Sequence, residues 1–429
     1  MTMKGLSLDQ APPISAPLRF FLTAPLFGIM ASVLLFFVEP SVIMSRFSPE
    51  TIAFVHLITI GVFSLVMLGA VQQMLPVLAG VTLPWALNVA RIAHASLSIG
   101  VIALVYGLFN SNALSLSVAM VLLGIGFMTL LVAIVVAFKK VDNFTATVRS
   151  MVASVSIAFI ILMLGEHLLA AHATQNISAW QLILADIHAT LAIFGFVGLL
   201  IIGVTFQVLP MFYVAPRFKR FCKKYVLWLI LTGLLVWSLF SIIFPQGSWL
   251  GKFIIALFFF AFATTVLKKL KERRRPISDV TIWYWQTGAF SLMIGLLLWL
   301  ANDFIEEDIV GIVAIFIGGG FMLSIVTGML YKIVPFLTWF HLNALGYMQI
   351  PTMRELISAR VAKVQYFLYV SALVLGIASY WVDAALSVGA VLLAISFILL
   401  EYNLINVVLT YIKIKKGEPD FVMPSMEIT

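Results

Sequence analysis

The chain has 429 residues, 62% of them hydrophobic and 10% charged, with a mean hydropathy of +1.12; a soluble protein carries roughly 25% charged residues, so a water-soluble globular domain is excluded. A net charge of +8 would suggest nucleic acid in a soluble protein, but here the basic residues gather in loops between apolar runs, and nucleic-acid binding is not expected. One cysteine, Cys222, excludes disulfides and cysteine-based metal sites within the chain.

Apolar runs long enough to cross a ~30 Å hydrocarbon core as helices fall near 19–39, 51–78, 84–108, 113–138, 148–172, 179–213, 225–244, 250–267, 281–301, 309–337, 361–382 and 385–412. Alternating ten-residue segments separated by turn clusters are absent, which excludes a β-barrel. The pattern predicts an all-α polytopic membrane protein, a single membrane domain over 1–429 with about twelve transmembrane helices. No secretory signal peptide is expected, because the first run is long enough to span and no small-residue cleavage site follows it.

With the N-terminus in the cytoplasm, 24 of the 26 Lys and Arg fall on the inner side or just inside the membrane there, the exceptions being Arg46 and Lys252. The loop holding Asp303, Glu306, Glu307 and Asp308 is then an acidic outer loop. This positive-inside distribution predicts an even number of spans, both termini cytoplasmic and a bacterial-type inner membrane.

The second, sixth and tenth spans share a gapless pattern. Gly61, Gly69, Gln73 and Pro76 match Gly195, Gly203, Gln207 and Pro210, and both match Gly320, Gly328, Lys332 and Pro335. The motif recurs at every fourth helix and divides the chain into units of about 19–138, 148–267 and 281–412. It predicts a pseudo-threefold ring of three four-helix units with these three helices lining the inside. The glycines would allow close helix approach or leave room for a flat ligand, and the prolines would close the helices at the cytoplasmic face. Transporters are more often built on two repeats.

Counting ~1.5 Å per residue from the prolines puts His56 and His188 in one layer near the outer face. A similar count along the fifth helix adds His167 and His172, with Glu166 and Asp186 at the same level. Neutral imidazoles converging from separate helices suit a haem or another metal. The bland alternative is interfacial histidine bonded to water and headgroups, strongest for His172. His94 falls mid-membrane on the third helix, where it either makes a structural hydrogen bond to a neighbouring helix or accepts a haem propionate or a proton. His341 falls in a cytoplasmic loop. Glu401, with Asn403 and Asn406, lies near the bilayer centre, where a charge costs at least ~2.5–3.5 kcal/mol. It is either a protonated carboxyl bonded to a neighbouring helix or part of a proton path. Gln72, Gln73 and Gln207 would wet a cavity at the inner ends of the repeat helices, and Lys332 would snorkel to the cytoplasm. The 18 Met are scattered singly and are read as packing residues.

Twelve helices in three groups of four, with His on the second and sixth near the outer face, resemble subunit I of the haem–copper oxidases. The second helix is most similar to the nitric oxide reductase branch, where a haem-ligating His is followed by G-A-x-Y-Y-x-x-P. Here His56 is followed by Gly69-Ala70-Val71-Gln72-Gln73-Met74-Leu75-Pro76. The NnrS family, haem- and copper-containing membrane proteins linked to nitric oxide, is similar too. The places of the oxidases' helix-10 H-x-H pair are occupied by Val313 and Ile315, and residues 225–244 contain no His to match the vicinal copper pair. The resemblance therefore implies a haem site without a complete proton-pumping oxidase centre.

Its concrete form is a b-type haem on the periplasmic side between the second, fifth and sixth helices. His56 is one axial ligand, and His188 or His167 is either the second ligand or a copper ligand. Copper is the second candidate metal, on His188, His167 and His172. Lipid surrounds the protein, and quinol or a c-type cytochrome is the candidate redox partner. Redox or nitric oxide handling is the expected function, whether or not there is turnover. The alternative from another class is a cofactor-free transporter or channel for a small solute or ion, using Glu401, His94, Gln73, Gln207 and the glycine-lined axis.

Overall fold

The computed structural model describes residues 12–274 and 279–420; Lys4 and Arg275, two of the basic residues counted above, lie outside them. Among the described residues no strand occurs, and twelve helices are long and apolar enough to cross a membrane. They are α1 (Ser15–Phe37), α2 (Pro49–Ala79), α3 (Ala86–Phe109), α4 (Ala113–Phe138), α5 (Ala146–Thr174), α6 (Gln181–Tyr213), α7 (Arg220–Ile243), α8 (Pro245–Lys271), α9 (Val280–Ala301), α10 (Val310–Ala344), α11 (Ala359–Ala378) and α12 (Ala384–Lys415).

Several helices start earlier than their apolar runs because side chains cap them. Ser48 accepts from the Thr51 amide ahead of α2, and Thr145 accepts from Val148 ahead of α5. Each cap satisfies a backbone donor that would otherwise be orphaned in the first turn. The helices also run past the motif prolines. Pro210 lies inside α6 and Pro335 well inside α10, which continues to Ala344, so the prolines do not close them.

The threefold plan is visible in the packing. The last two helices of each unit form close hairpins, α3 with α4, α7 with α8 and α11 with α12. Neighbouring units meet through equivalent pairs, α4 with α5, α8 with α9 and α12 with α1, which closes the ring. The second helices α2, α6 and α10 are the three most buried spans and occupy the inside.

The motif glycines serve close approach. A Cβ on Gly69 would lie 2.9 Å from Phe20 of α1, one on Gly203 2.3 Å from Ser150 of α5, and one on Gly328 2.7 Å from Tyr284 of α9. In each unit the glycine lets the second helix press against the first, and the space is taken by protein, leaving none for a flat ligand.

Each inner helix is also interrupted by a π-helical stretch, Thr59–Ser64 in α2, Leu191–Gly198 in α6 and Ile315–Leu323 in α10. All three contain the first motif glycine and end at the same motif position. A π turn loosens the backbone hydrogen-bond ladder, and in lipid the freed carbonyls need other donors. Hydroxyls supply them: Ser64 donates to Thr59 O at 2.9 Å, Ser154 to Phe196 O at 2.6 Å, and Tyr369 to Gly319 O.

Equivalent positions of the three inner helices meet on the axis. Val66, Leu200 and Ile325 form one layer, and Ala70, Val204 and Met329 the layer one turn nearer the termini. They wall a cavity of ≈ 70 Å³ to which no polar atom contributes. Gln72, Gln73 and Gln207 do not line it; Gln72 and Gln73 are buried elsewhere and Gln207 is exposed.

Candidate functional site

The polar groups of interest gather at the end of the bundle away from the termini. His56 lies seven residues into α2 and His188 seven residues into α6, so both sit ~10 Å below that end. Each stands three residues before its helix turns π-helical.

The two rings face each other, with centroids 6.3 Å apart and planes inclined by 26°. Their Nδ1 atoms are tied to backbone carbonyls: His56 to Ile52 O at 2.7 Å, and His188 to Ile161 O of α5 at 3.1 Å. A carbonyl only accepts, so both Nδ1 atoms carry the proton and both Nε2 atoms keep their lone pair. Neither Nε2 makes a hydrogen bond among the described residues. Gly165 of α5 leaves room for the second ring, since a Cβ there would lie 3.1 Å from His188 Cε1.

An orienting bond at Nδ1 with Nε2 free is how protein imidazoles present themselves to a metal. Two metal–nitrogen bonds of about 2 Å, plus the distance from each nitrogen to its ring centre, put the centroids of two end-on ligands about 6 Å apart, so the 6.3 Å centroid spacing by itself is compatible with one atom held by both rings. Two imidazoles alone do not complete a bare zinc or copper site, which takes three or four protein donors. They do complete an iron whose other four positions belong to a tetrapyrrole. Two neutral imidazoles are the donor type that a haem iron takes.

Further histidines do not join the pair. His167 is on the exposed face of α5, and His172 stands half-buried near the end of that helix. No group of three or more His, Cys, Asp or Glu is arranged to hold a metal among the described residues. The three residues of the expected copper set, His188, His167 and His172, are not gathered into such a group. His167 lies about 200° round α5 from Gly165, which meets His188, whereas His172 is on nearly the same face as Gly165 but ~10 Å further along the helix.

Above the histidines the ends are clasped by ion pairs that the sequence did not foretell. Arg46, in the connection before α2, meets Asp186 of α6 at 2.6 Å, and Lys252 of α8 meets Asp303 at 2.6 Å. Lys252 also lies 5.1 Å over the Trp299 ring, which stacks on Phe194 of α6. The signal was present, since Arg46 and Lys252 were the two cations displaced from the basic side.

The remaining candidates have structural surroundings. His94 Nε2 is bonded to Thr23 Oγ1 of α1 at 2.8 Å, the interhelical bond expected. Glu401 is buried, and its Oε2 finds no partner among the described residues, so the expected interhelical hydrogen bond is not seen at that atom. Asn403 bonds instead to Tyr331 and to the Ser358 amide, and Asn406 is half-buried. His341 is corrected from solvated loop to buried helix, because α10 continues beyond Pro335 and carries it inside. Lys332 does reach the termini side, but in an ion pair at 2.5 Å with Asp279, just ahead of α9.

Fold and site together define a polytopic α-helical membrane protein of threefold internal repeat, with a paired-imidazole site at one end of its inner helices. Comparison with known protein families and with curated proteins finds no match for the chain.

Proposed function

We propose that this protein binds one b-type haem between α2 and α6, with His56 and His188 as its two axial ligands, and serves electron transfer in a respiratory membrane. The observation that carries the reading is the opposed ring pair at 6.3 Å, each Nδ1 fixed by a carbonyl and each Nε2 free. When bound, haem supplies one-electron redox chemistry at a potential set by its axial ligands and surroundings. The chain's own part is to hold both imidazoles in one tautomer and to surround them with apolar helix.

His56 and His188 would both be committed to holding the haem, leaving no place on it for a gas ligand. That favours electron transfer over direct nitric oxide binding, with quinol or a c-type cytochrome as the partner. The basic loops support cytoplasmic termini and hence a periplasmic-side site in a bacterial-type inner membrane. A transporter or channel would need a polar path along the axis, and the axis is walled by apolar side chains.

The test is the visible spectrum of the purified protein. A Soret band that shifts on dithionite reduction is expected, in the form given by two nitrogen ligands. A preparation that stays colourless when made with ample haem would remove the proposal.

A further inference from the structure

The cavity on the threefold axis is separate from the histidine pair. Val66 lies ten residues beyond His56 on α2, ~15 Å further along the helix. Its origin is legible in the layer of Ala70, Val204 and Met329. Three helices around an axis leave a central gap that their equivalent side chains must fill. In this layer one of the three is only a methyl group, so the gap stays open.

The chemistry of the wall decides what the cavity takes. A water there needs two to four polar partners, and no polar surface faces this half-enclosed cavity; the Thr205 hydroxyl is spent on Ile201 O at 2.6 Å, and the unpartnered Trp285 Nε1 is a single donor turned away from the open space. Water is therefore disfavoured. An apolar cavity of about 150 Å³ accepts benzene or xenon, whereas this one offers ≈ 70 Å³. A benzene-sized molecule is too large, and a diatomic gas or a noble-gas atom fits. Lipid around the protein is a reservoir in which apolar gases concentrate.

We propose that the axial cavity between α2, α6 and α10 binds a small apolar gas molecule of diatomic size. This rests on the cavity alone and is independent of the haem reading; a haem-free preparation has the same site.

The experiment is diffraction from crystals of the full chain under xenon pressure. One anomalous peak is expected on the axis, between Ala70, Val204 and Met329. Ala70→Leu, which fills the gap, should abolish that peak, and Met329→Ala, which enlarges it, should raise its occupancy. Retained melting behaviour shows that either variant still folds. An axis empty of xenon in the unaltered protein overturns the proposal, as does ordered water or an alkyl chain in its place. So does a peak that persists unchanged in Ala70→Leu.

Discussion

His56 and His188 face one another although they stand two residues apart in the motif register. Equivalent residues on symmetry-related helices meet only where they point at the axis itself, as Ala70, Val204 and Met329 do; turned away from it, they all point the same way round the ring and do not face one another. A shift of two residues turns a side chain by about 200°, to the opposite flank of its helix. That shift aims α2 and α6 at each other, bringing the ring centroids to 6.3 Å.

If this pair is the ligand set, His56→Ala and His188→Ala should each abolish the six-coordinate haem spectrum. His167→Ala, on the exposed face of α5, should leave it unchanged. Absorption spectra of the three purified variants decide it. A spectrum indifferent to both His56 and His188 would put the haem elsewhere.

Close approach of α5 and α6 at Gly203 gives a stability prediction. Gly203→Ala places a methyl 2.3 Å from Ser150 Cβ and should cost about 1–3 kcal/mol through overpacking. Adding Ser150→Gly should recover much of that loss. Gly318→Ala, where nothing lies within 4 Å, should change stability by less than about 0.5 kcal/mol. Denaturation of the detergent-solubilised protein measures all three.

Asp279 and Lys332 tie the start of α9 to α10 at 2.5 Å. Burial pushes the Asp279 carboxyl up, but the Lys332 ammonium and the bonds from Thr281 outweigh it, and its pKa lies below the ordinary value. A depressed carboxylate pKa contributes stability above the unfolded value, and that contribution is lost as pH falls through the folded one. The pair should therefore stabilise fully at neutral pH and fade only below about pH 4. Asp279→Asn should cost roughly 1–3 kcal/mol at pH 7, and the difference from the unaltered protein should shrink in acid. A penalty equal at pH 3 and pH 7 would contradict this.

Orientation can be read at Cys222, the only cysteine, near the start of α7. A membrane-impermeant thiol reagent should label it in inside-out vesicles and spare it in right-side-out ones. In a Cys222→Ser background, Ser178→Cys in the exposed α5–α6 loop should show the reverse. Labelling of both from one side would break the even-span plan.

The glycine and proline spacing announced the threefold ring because close helix contacts demand glycine whatever the neighbour is. Histidine depth was equally legible, since helical rise converts position into height; His56 and His188 do share a layer. What depth cannot give is azimuth. His167 has the right height and the wrong face, and His341 was misplaced because α10 carries its proline internally and keeps going.

Hydropathy and repeat period are properties of one chain segment at a time, so the sequence by itself determined the span count, the repeat and the level of the imidazoles. Which rings meet, which carbonyls hold them, and where the axis stays open depend on several helices at once. Those were decided only by the tertiary packing, through the rotation of each helix about its own axis and the volume of its neighbours' side chains.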